Sequence, residues 1–338
     1  MVSICCGSPR KPGDQRVTRH FCTYFDHRYF DRGMAMHDSL LRHCPQARLW
    51  VLCLSDACHQ ALTKLALPSI VPIRLADFEE NNEALAAAKR NRSLIEYYFT
   101  CTASLMDWIL TRENEIEVLT YLDGDLYFFS DPDPLFGAFE GHSSLLIENR
   151  FSRQLEQLAV YGRYNVGWIS FRRDSDGMAA LRWWRDRCLE WCYDRLEGDR
   201  FADQKYLDLF PTLFRGVLVL DHPGANLAPW NMGRHRLTKE GDCLRVDGQP
   251  LIFYHFHNFK RILPFVWRTY HRENFVPRYS FLARLLYRPY VRALIQSRRL
   301  GASVGLKRQN MLKRGYRGYG WAKNFAKMII FRDFVIGP

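Results

Sequence analysis

Glu117-Val118-Leu119-Thr120-Tyr121-Leu122-Asp123-Gly124-Asp125-Leu126-Tyr127-Phe128-Phe129-Ser130-Asp131-Pro132 is an apolar run broken by two carboxylates one residue apart. Its first six residues have the length and near-continuous apolar character of a buried strand. That places Asp123 and Asp125 just outside a strand's carboxyl end, where open α/β sheets bind nucleotides. Two acids there can jointly grip a divalent metal and a ribose or diphosphate. Two solvated acids at a strand end are the plain alternative. Gly124 lets the backbone turn so that both carboxylates converge, and Tyr121, Tyr127 and Phe128 wall off water.

Outward from this run, strands are expected at 21–25, 48–54 and 69–73, with helices at 30–42 and 57–67, the second capped by Ser55-Asp56. One long helix is expected from Glu83 to Thr111. Strands follow at 144–147 and 166–171, with a polar, mobile loop from Glu148 to Tyr164 between them. Helices are expected at 175–196 and 201–209, the latter ended by Pro211, then a strand at 217–220. Residues 242–246, the Asp247-Gly248 turn and 251–255 read as a hairpin. Alternating strands and helices argue an α/β fold with a mostly parallel sheet covered on both faces. From Pro264 the strand pattern stops and the chain becomes arginine-rich and aromatic, so a boundary is drawn at 262, separating a domain of residues 18–262 from an extension, 263–338.

The 338 residues suffice for a full core, and no uninterrupted apolar stretch nears 18 residues. The chain reads as cytoplasmic, with Cys22, Cys53, Cys101, Cys188 and Cys192 as buried thiols and no zinc spacing. Cys5 and Cys6 are acylation candidates or, more simply, thiols of a disordered terminus. The net charge of +12 belongs to the end of the chain: from Arg278 onward 14 Lys and Arg face one acid, Asp333. Arg284, Arg288 and Arg292 recur every four residues beside Phe281, Leu282, Leu285 and Leu286. Arg298, Arg299, Lys307, Arg308, Lys313, Arg314 and Arg317 continue the charge, with Tyr316, Tyr319, Trp321 and Phe325 among them. This suits docking on the anionic inner face of a membrane, or a solvated basic tail; nucleic acid is the competing polyanion and is not expected.

A hard dication such as Mn²⁺ or Mg²⁺ wants oxygen ligands, and Asp123 and Asp125 supply them. Mn²⁺ accepts one imidazole, and His255 or His257, alternating along a strand, is the candidate. Strand alternation favours His255. Lys260, close behind, would add a positive charge at a departing diphosphate. Asn226, Trp230 and Asn231 form a turn-rich loop suited to a sugar's hydroxyls and C–H face, or simply a tight structural loop. Asn165 precedes a core strand, where a buried amide needs partners. Asp203, opening a helix, is by default a cap.

Taken in order, these segments resemble nucleotide-sugar-dependent glycosyltransferases of the GT-A fold, in particular the family 8 type, over residues 20–260. The matching elements are Thr23-Tyr24-Phe25-Asp26 with Tyr29, Asp123-Gly124-Asp125, Tyr164-Asn165-Val166-Gly167-Trp168, Phe201-Ala202-Asp203-Gln204, and Tyr254-His255-Phe256 followed by Lys260. The resemblance implies that Thr23, Tyr24, Asp26, Tyr29, Asp123, Asn165 and Lys260 hold the donor nucleotide and that Asp123, Asp125 and His255 hold the metal. It also puts Asp203 and Gln204 under the anomeric carbon. The implied activity is transfer of a hexose from a nucleoside diphosphate sugar, UDP foremost, to a glycan or lipid-linked acceptor in polysaccharide biosynthesis, with retention. The chain departs from the pattern where Asn258 replaces the usual Gly between His and Lys and where Arg261-Ile262 replaces Pro-Trp. The rivals are a metal-dependent phosphohydrolase using the same acid pair, disfavoured by Tyr127 two residues after Asp125, and a nucleotidyltransferase, disfavoured by the glycine-poor stretch from Thr23 to Arg32. A third is a polyanion-binding protein acting through its tail.

Overall fold

The computed structural model describes residues 17–307 and 333–337. Cys5 and Cys6, and Arg308, Lys313, Arg314, Tyr316, Arg317, Tyr319, Trp321 and Phe325, lie outside the described residues.

The chain opens β1 (Arg19–Phe25), α1 (Phe30–His43), β2 (Ala47–Cys53), α2 (Asp56–Leu65) and β3 (Ile70–Arg74). Ser55 caps α2, its hydroxyl accepting from the Cys58 amide. After α3 (Leu75–Glu79), the expected long helix is two, α4 (Glu83–Asn91) and α5 (Leu94–Arg112). The break is a capping box: Ser93 Oγ accepts from the Glu96 amide while Glu96 Oε2 accepts from the Ser93 amide. Reciprocal satisfaction of two helix-end donors makes a new start at Ser93 cheaper than continuing α4. There follow β4 (Val118–Leu122), β5 (Leu126–Phe128), α6 (Asp133–Phe139), β6 (Ser144–Glu148), β7 (Tyr164–Arg172), α7 (Ser175–Glu190), α8 (Phe210–Leu213) and β8 (Val217–Leu220).

Seven strands form one sheet in the order β3-β2-β1-β4-β7-β6-β8. β7 alone runs antiparallel to its neighbours, and the other pairings are parallel. The sheet is mixed but mostly parallel and flanked by helices, as the alternation predicts, with β7 the antiparallel exception. One face carries Tyr97, Cys101, Leu105 and Ile109 of α5 with Leu181 and Trp184 of α7; the other carries Phe30 and Met34 of α1, Cys58 of α2 and Phe136 of α6. Cys22, Cys53, Cys101, Cys188 and Cys192 are buried free thiols, as expected.

Several expectations are corrected. The stretch from Glu148 to Tyr164 holds a 3-10 helix, Arg153–Tyr161, because Leu155 packs with Ala228 and Trp230. α7 ends at Glu190, where Trp191 turns extended and is buried with Cys192. Pro211 does not end a helix at 201–209: a 3-10 turn, Lys205–Leu209, precedes α8, where Pro211 occupies the first turn, which needs no proline N–H. The hairpin also divides. β9 (Leu237–Glu240), β10 (Cys243–Val246) and β11 (Gln249–Pro250) form a small sheet, whereas β12 (Phe253–His255) leaves it to pair antiparallel with β5.

Strands also continue beyond Pro264: β14 (Val266–Arg268) and β15 (Phe334–Ile336) form a further sheet with β13 (Lys260–Leu263). The boundary drawn at 262 marks no break in packing. Leu282, Leu286, Tyr290 and Leu294, leading into and along α9 (Arg288–Ser303), share one core with Tyr127, Tyr254 and Phe256. The leucines expected beside a basic stripe therefore face this core, which leaves Arg288, Arg292 and Arg299 exposed. Arg284 pairs with Asp242, and Arg298 is drawn inward to Asp31. No helix among the described residues is long and apolar enough to cross a membrane.

Candidate functional site

β4 delivers Asp123 and Asp125 to the carboxyl end of the sheet, and the Asp123 amide is held by the Gly167 carbonyl of β7. Register between β12 and β5 sets Leu126 opposite His255, which brings the imidazole to the acids across 130 residues of chain. His255 Nε2 lies 3.1 Å from Asp125 Oδ1 and 3.6 Å from Asp123 Oδ2. One ligand atom from each of Asp123, Asp125 and His255 falls within a 4.8 Å cluster. His255, the last residue of β12, is buried, whereas His257, two residues on and past the strand's end, is exposed beside Trp230.

The remaining carboxylate oxygens are also held. Tyr29 OH donates to Asp125 Oδ2 at 2.8 Å, and Tyr121 OH donates to Asp123 Oδ1 at 2.9 Å. Burial alone would raise the Asp125 carboxyl, but His255, with the Tyr29 hydroxyl helping, holds it well below the usual range. Asp123 moves up, through burial and the neighbouring Asp125 charge. Burial works to lower His255, yet the two carboxylates outweigh it and its pKa rises. Two oxygen donors and one imidazole fit Mn²⁺, and the two carboxylates together match the charge of a dication.

Gly124 is not in a left-handed conformation, and a Cβ there would make ordinary 3.5 Å contact with the Tyr29 ring. The glycine that the site requires is Gly167. A Cβ on it would lie 2.6 Å from Asn165 Oδ1 and 3.0 Å from His255 Nδ1, so only glycine lets the imidazole lie flat against β7. Asn165 is buried, accepting from the Gly167 amide and donating to Asn149 Oδ1.

Asp203 is no cap. It is buried, its Oδ2 accepts from Thr102 Oγ1 of α5 at 2.9 Å, and Trp184 Nε1 donates to its carbonyl. Burial, reinforced by the Asp123 charge, pushes its carboxyl up to about 7. Thr102 also meets Tyr24 OH at 3.3 Å, and Tyr24 packs on Tyr121, which ties Asp203 to the Asp123 side of the site. Gln204 donates from Nε2 to the Tyr161 carbonyl and lies against Gly162.

Other expected residues stand elsewhere. Thr23 is wholly buried on the opposite sheet face from Tyr24, because strand side chains alternate. Asp26 accepts from the Arg28 and Tyr29 amides and so shapes the turn into α1. Lys260 sits at the start of β13, its ammonium 5.9 Å from the Tyr270 ring centroid. Trp230 is buried, not exposed: its indole donates to the Asn149 carbonyl and its ring meets His255 edge-on at 5.1 Å. Asn231 is spent on the loop, accepting from the Ala228 amide and donating to the Asn149 and Asn226 carbonyls. Asn226 differs: it is fully buried at φ 60°, and neither amide atom has a hydrogen-bond partner.

Asn149, Thr102 and Arg32 escape a sequence reading. Asn149 ties the 226–231 loop to Asn165, but its partners lie 16 and more than 80 residues away. Thr102 stands beside the equally buried Thr100 and Ser104 on α5, and spacing does not single it out.

No family model matches the chain. Two proteins of Bacillus subtilis (strain 168), both described as uncharacterized, are similar over most of their length. YfnF is 33% identical over 252 residues, 72% of this chain and 82% of YfnF. YfnD is 30% identical over 245 residues, 72% of this chain and 78% of YfnD. Among solved structures, the galactosyltransferase LgtC in complex with donor and acceptor sugar analogues is 16% identical, covering 86% of this chain and 98% of that one, at a TM-score of 0.49. Mouse xyloside xylosyltransferase 1 is 15% identical, covering 72% and 98%, at a TM-score of 0.45. At these identities and TM-scores no residue role passes from either structure to this chain.

Proposed function

The chain belongs to the family of YfnF and YfnD, and we propose that it is a metal-dependent glycosyltransferase of GT-A type that takes a hexose from a nucleoside diphosphate sugar. The observation that carries this reading is the convergence of Asp123, Asp125 and His255 within 4.8 Å at the carboxyl end of the sheet, beside a buried Asp203. Mn²⁺ or Mg²⁺ held by these three would neutralise the departing diphosphate. The chain's own residues do the rest. Tyr29 and Tyr121 fix the outer carboxylate oxygens, so each acid presents its inner oxygen toward His255. Asp203, its carboxyl pushed up to about 7 by burial, would bond a sugar hydroxyl, with Gln204 offering an amide to the anomeric side. A neutral amide is a poor nucleophile, which supports retention with the leaving phosphate accepting the acceptor's proton. Asn165 and Asn226 read sugar hydroxyls, and UDP is the first donor to try.

The phosphohydrolase reading needs one acid free to attack. Both oxygens of Asp125 are engaged, by Tyr29 and His255, which favours a ligand. The acceptor is a glycan or a lipid-linked glycan. Arg288, Arg292 and Arg299 support peripheral contact with an anionic membrane, electrostatic in kind because the helix's apolar side is packed inward.

The test is to incubate the protein with Mn²⁺ and a panel of sugar nucleotides, reading donor hydrolysis and nucleotide-protected melting. Response to one donor, abolished by Asp125→Ala, is expected; silence with every donor would end the proposal. Flotation with vesicles of anionic or neutral lipid reads the membrane contact, and equal recovery would remove it.

A further inference from the structure

A continuous run of contacts joins the C-terminal helix to a candidate metal ligand. On α9, Arg298 Nε donates to Asp31 Oδ2 at 2.6 Å. The other oxygen of Asp31 is 3.7 Å from Arg32 Nη1 and has no hydrogen-bond partner. Arg32 Nη2 donates to the Phe259 carbonyl at 3.0 Å, and its guanidinium lies over the Tyr29 ring, 4.6 Å from the centroid. Tyr29 OH then donates to Asp125 Oδ2 at 2.8 Å. Asp31, Arg32 and Asp125 are all buried.

The geometry explains why Arg298 matters at a distance. Asp31 is held off Arg32 because its other oxygen is committed to Arg298. Without that anchor the carboxylate would close on Arg32 and turn the guanidinium away from the Phe259 carbonyl and the Tyr29 ring. A guanidinium does two things at once here, donating along an edge and stacking through its face, which an ammonium does not. Its two contacts flank the site, one on the residue before Lys260 and one on the tyrosine that orients Asp125.

We propose that Arg32 is a positioning residue for the metal centre and that Arg298, from the C-terminal segment, sets its orientation, so that α9 tunes how tightly Asp125 holds a divalent cation. This rests on the metal-site reading above. The readout is Mn²⁺ binding alone, by electron paramagnetic resonance titration of the full chain, without nucleotide. Tyr29→Phe, Arg32→Lys and Arg298→Gln should each weaken Mn²⁺ by about 10-fold, the scale of outer-shell partners. The double variant Tyr29→Phe/Arg298→Gln should be no weaker than the worse single, because both act through one hydroxyl. Arg298→Lys, which keeps a cation opposite Asp31, should restore most of the affinity. Melting in EDTA verifies that each variant folds. Variants that melt lower yet bind Mn²⁺ like wild type, or single effects that multiply in the double, would overturn the proposal while leaving the metal site standing. Wild type binding Mn²⁺ no better than Asp125→Ala would remove the metal site and this inference together.

Discussion

Replacing Asp203 by Asn should stabilise the protein at pH 8 while abolishing transfer. The Asp203 carboxyl rises from 3.8 to about 7, chiefly by burial and then by the Asp123 charge. Between those pH values the folded chain keeps a proton that the unfolded chain has released, so ionising Asp203 costs stability. The cost begins above pH 3.8, grows as pH rises and is complete above about 7. At about 1.4 kcal/mol per pH unit the ceiling is about 4 kcal/mol. Asn escapes the cost and can still accept from Thr102 Oγ1 through its amide oxygen. For a chain of this length that is about 4 to 8 °C in melting temperature. The assay is differential scanning fluorimetry of wild type and Asp203→Asn in EDTA at half-unit steps from pH 4 to 8.5. The variant's advantage should be greatest at pH 8 and nearly gone by pH 4. Mn²⁺ should narrow it at pH 8, because a cation on Asp123 removes one of its causes. A variant that melts below wild type at pH 8, or an offset flat across the range, would refute the reasoning.

Gly167→Ala should displace His255 and Asn165 together, lowering Mn²⁺ affinity more than about 10-fold and stability by about 1–3 kcal/mol; unaltered Mn²⁺ titration would show that the imidazole does not depend on that glycine. The two carboxylates raise the pKa of His255, so Mn²⁺ binding must displace its proton and apparent affinity should climb as pH rises, and a pH-independent calorimetric titration would contradict the ligand role. Asn226→Gly suits the left-handed backbone and removes an unpartnered amide, so melting should hold or rise by up to about 1 kcal/mol while donor affinity falls. If both melting and donor binding are unchanged, Asn226 has no sugar role. Trp230→Ala removes the ring against His255 and should cost about 3–5 kcal/mol in chemical denaturation; a loss below about 1 kcal/mol would mean that the indole is not the wall it forms here.

The central strands were legible because each is a short apolar run between turn signals, and Asp123 and Asp125 follow directly from where such a run stops. The capping box at Ser93 was legible too but was masked by the helical periodicity on both sides. Trp230 and Asn231 were misread because composition marks a sugar-like loop without saying which way its groups point; both turn inward to Asn149. Thr23 faces away from Tyr24 for a simpler reason, the alternation that buries it beneath the sheet.

The sequence by itself determined the α/β class, the acids at the strand end and histidine as the candidate third donor, since local periodicity and side-chain chemistry are written residue by residue. Only the tertiary structure decided that β12 leaves its hairpin to pair with β5, which brings His255 to the acids. It alone decided that the basic C-terminal helix reaches back through Arg298 and Arg32 to Asp125. Such contacts join residues as much as 267 positions apart, and which partners meet is set by packing and register, for which sequence spacing carries no signal.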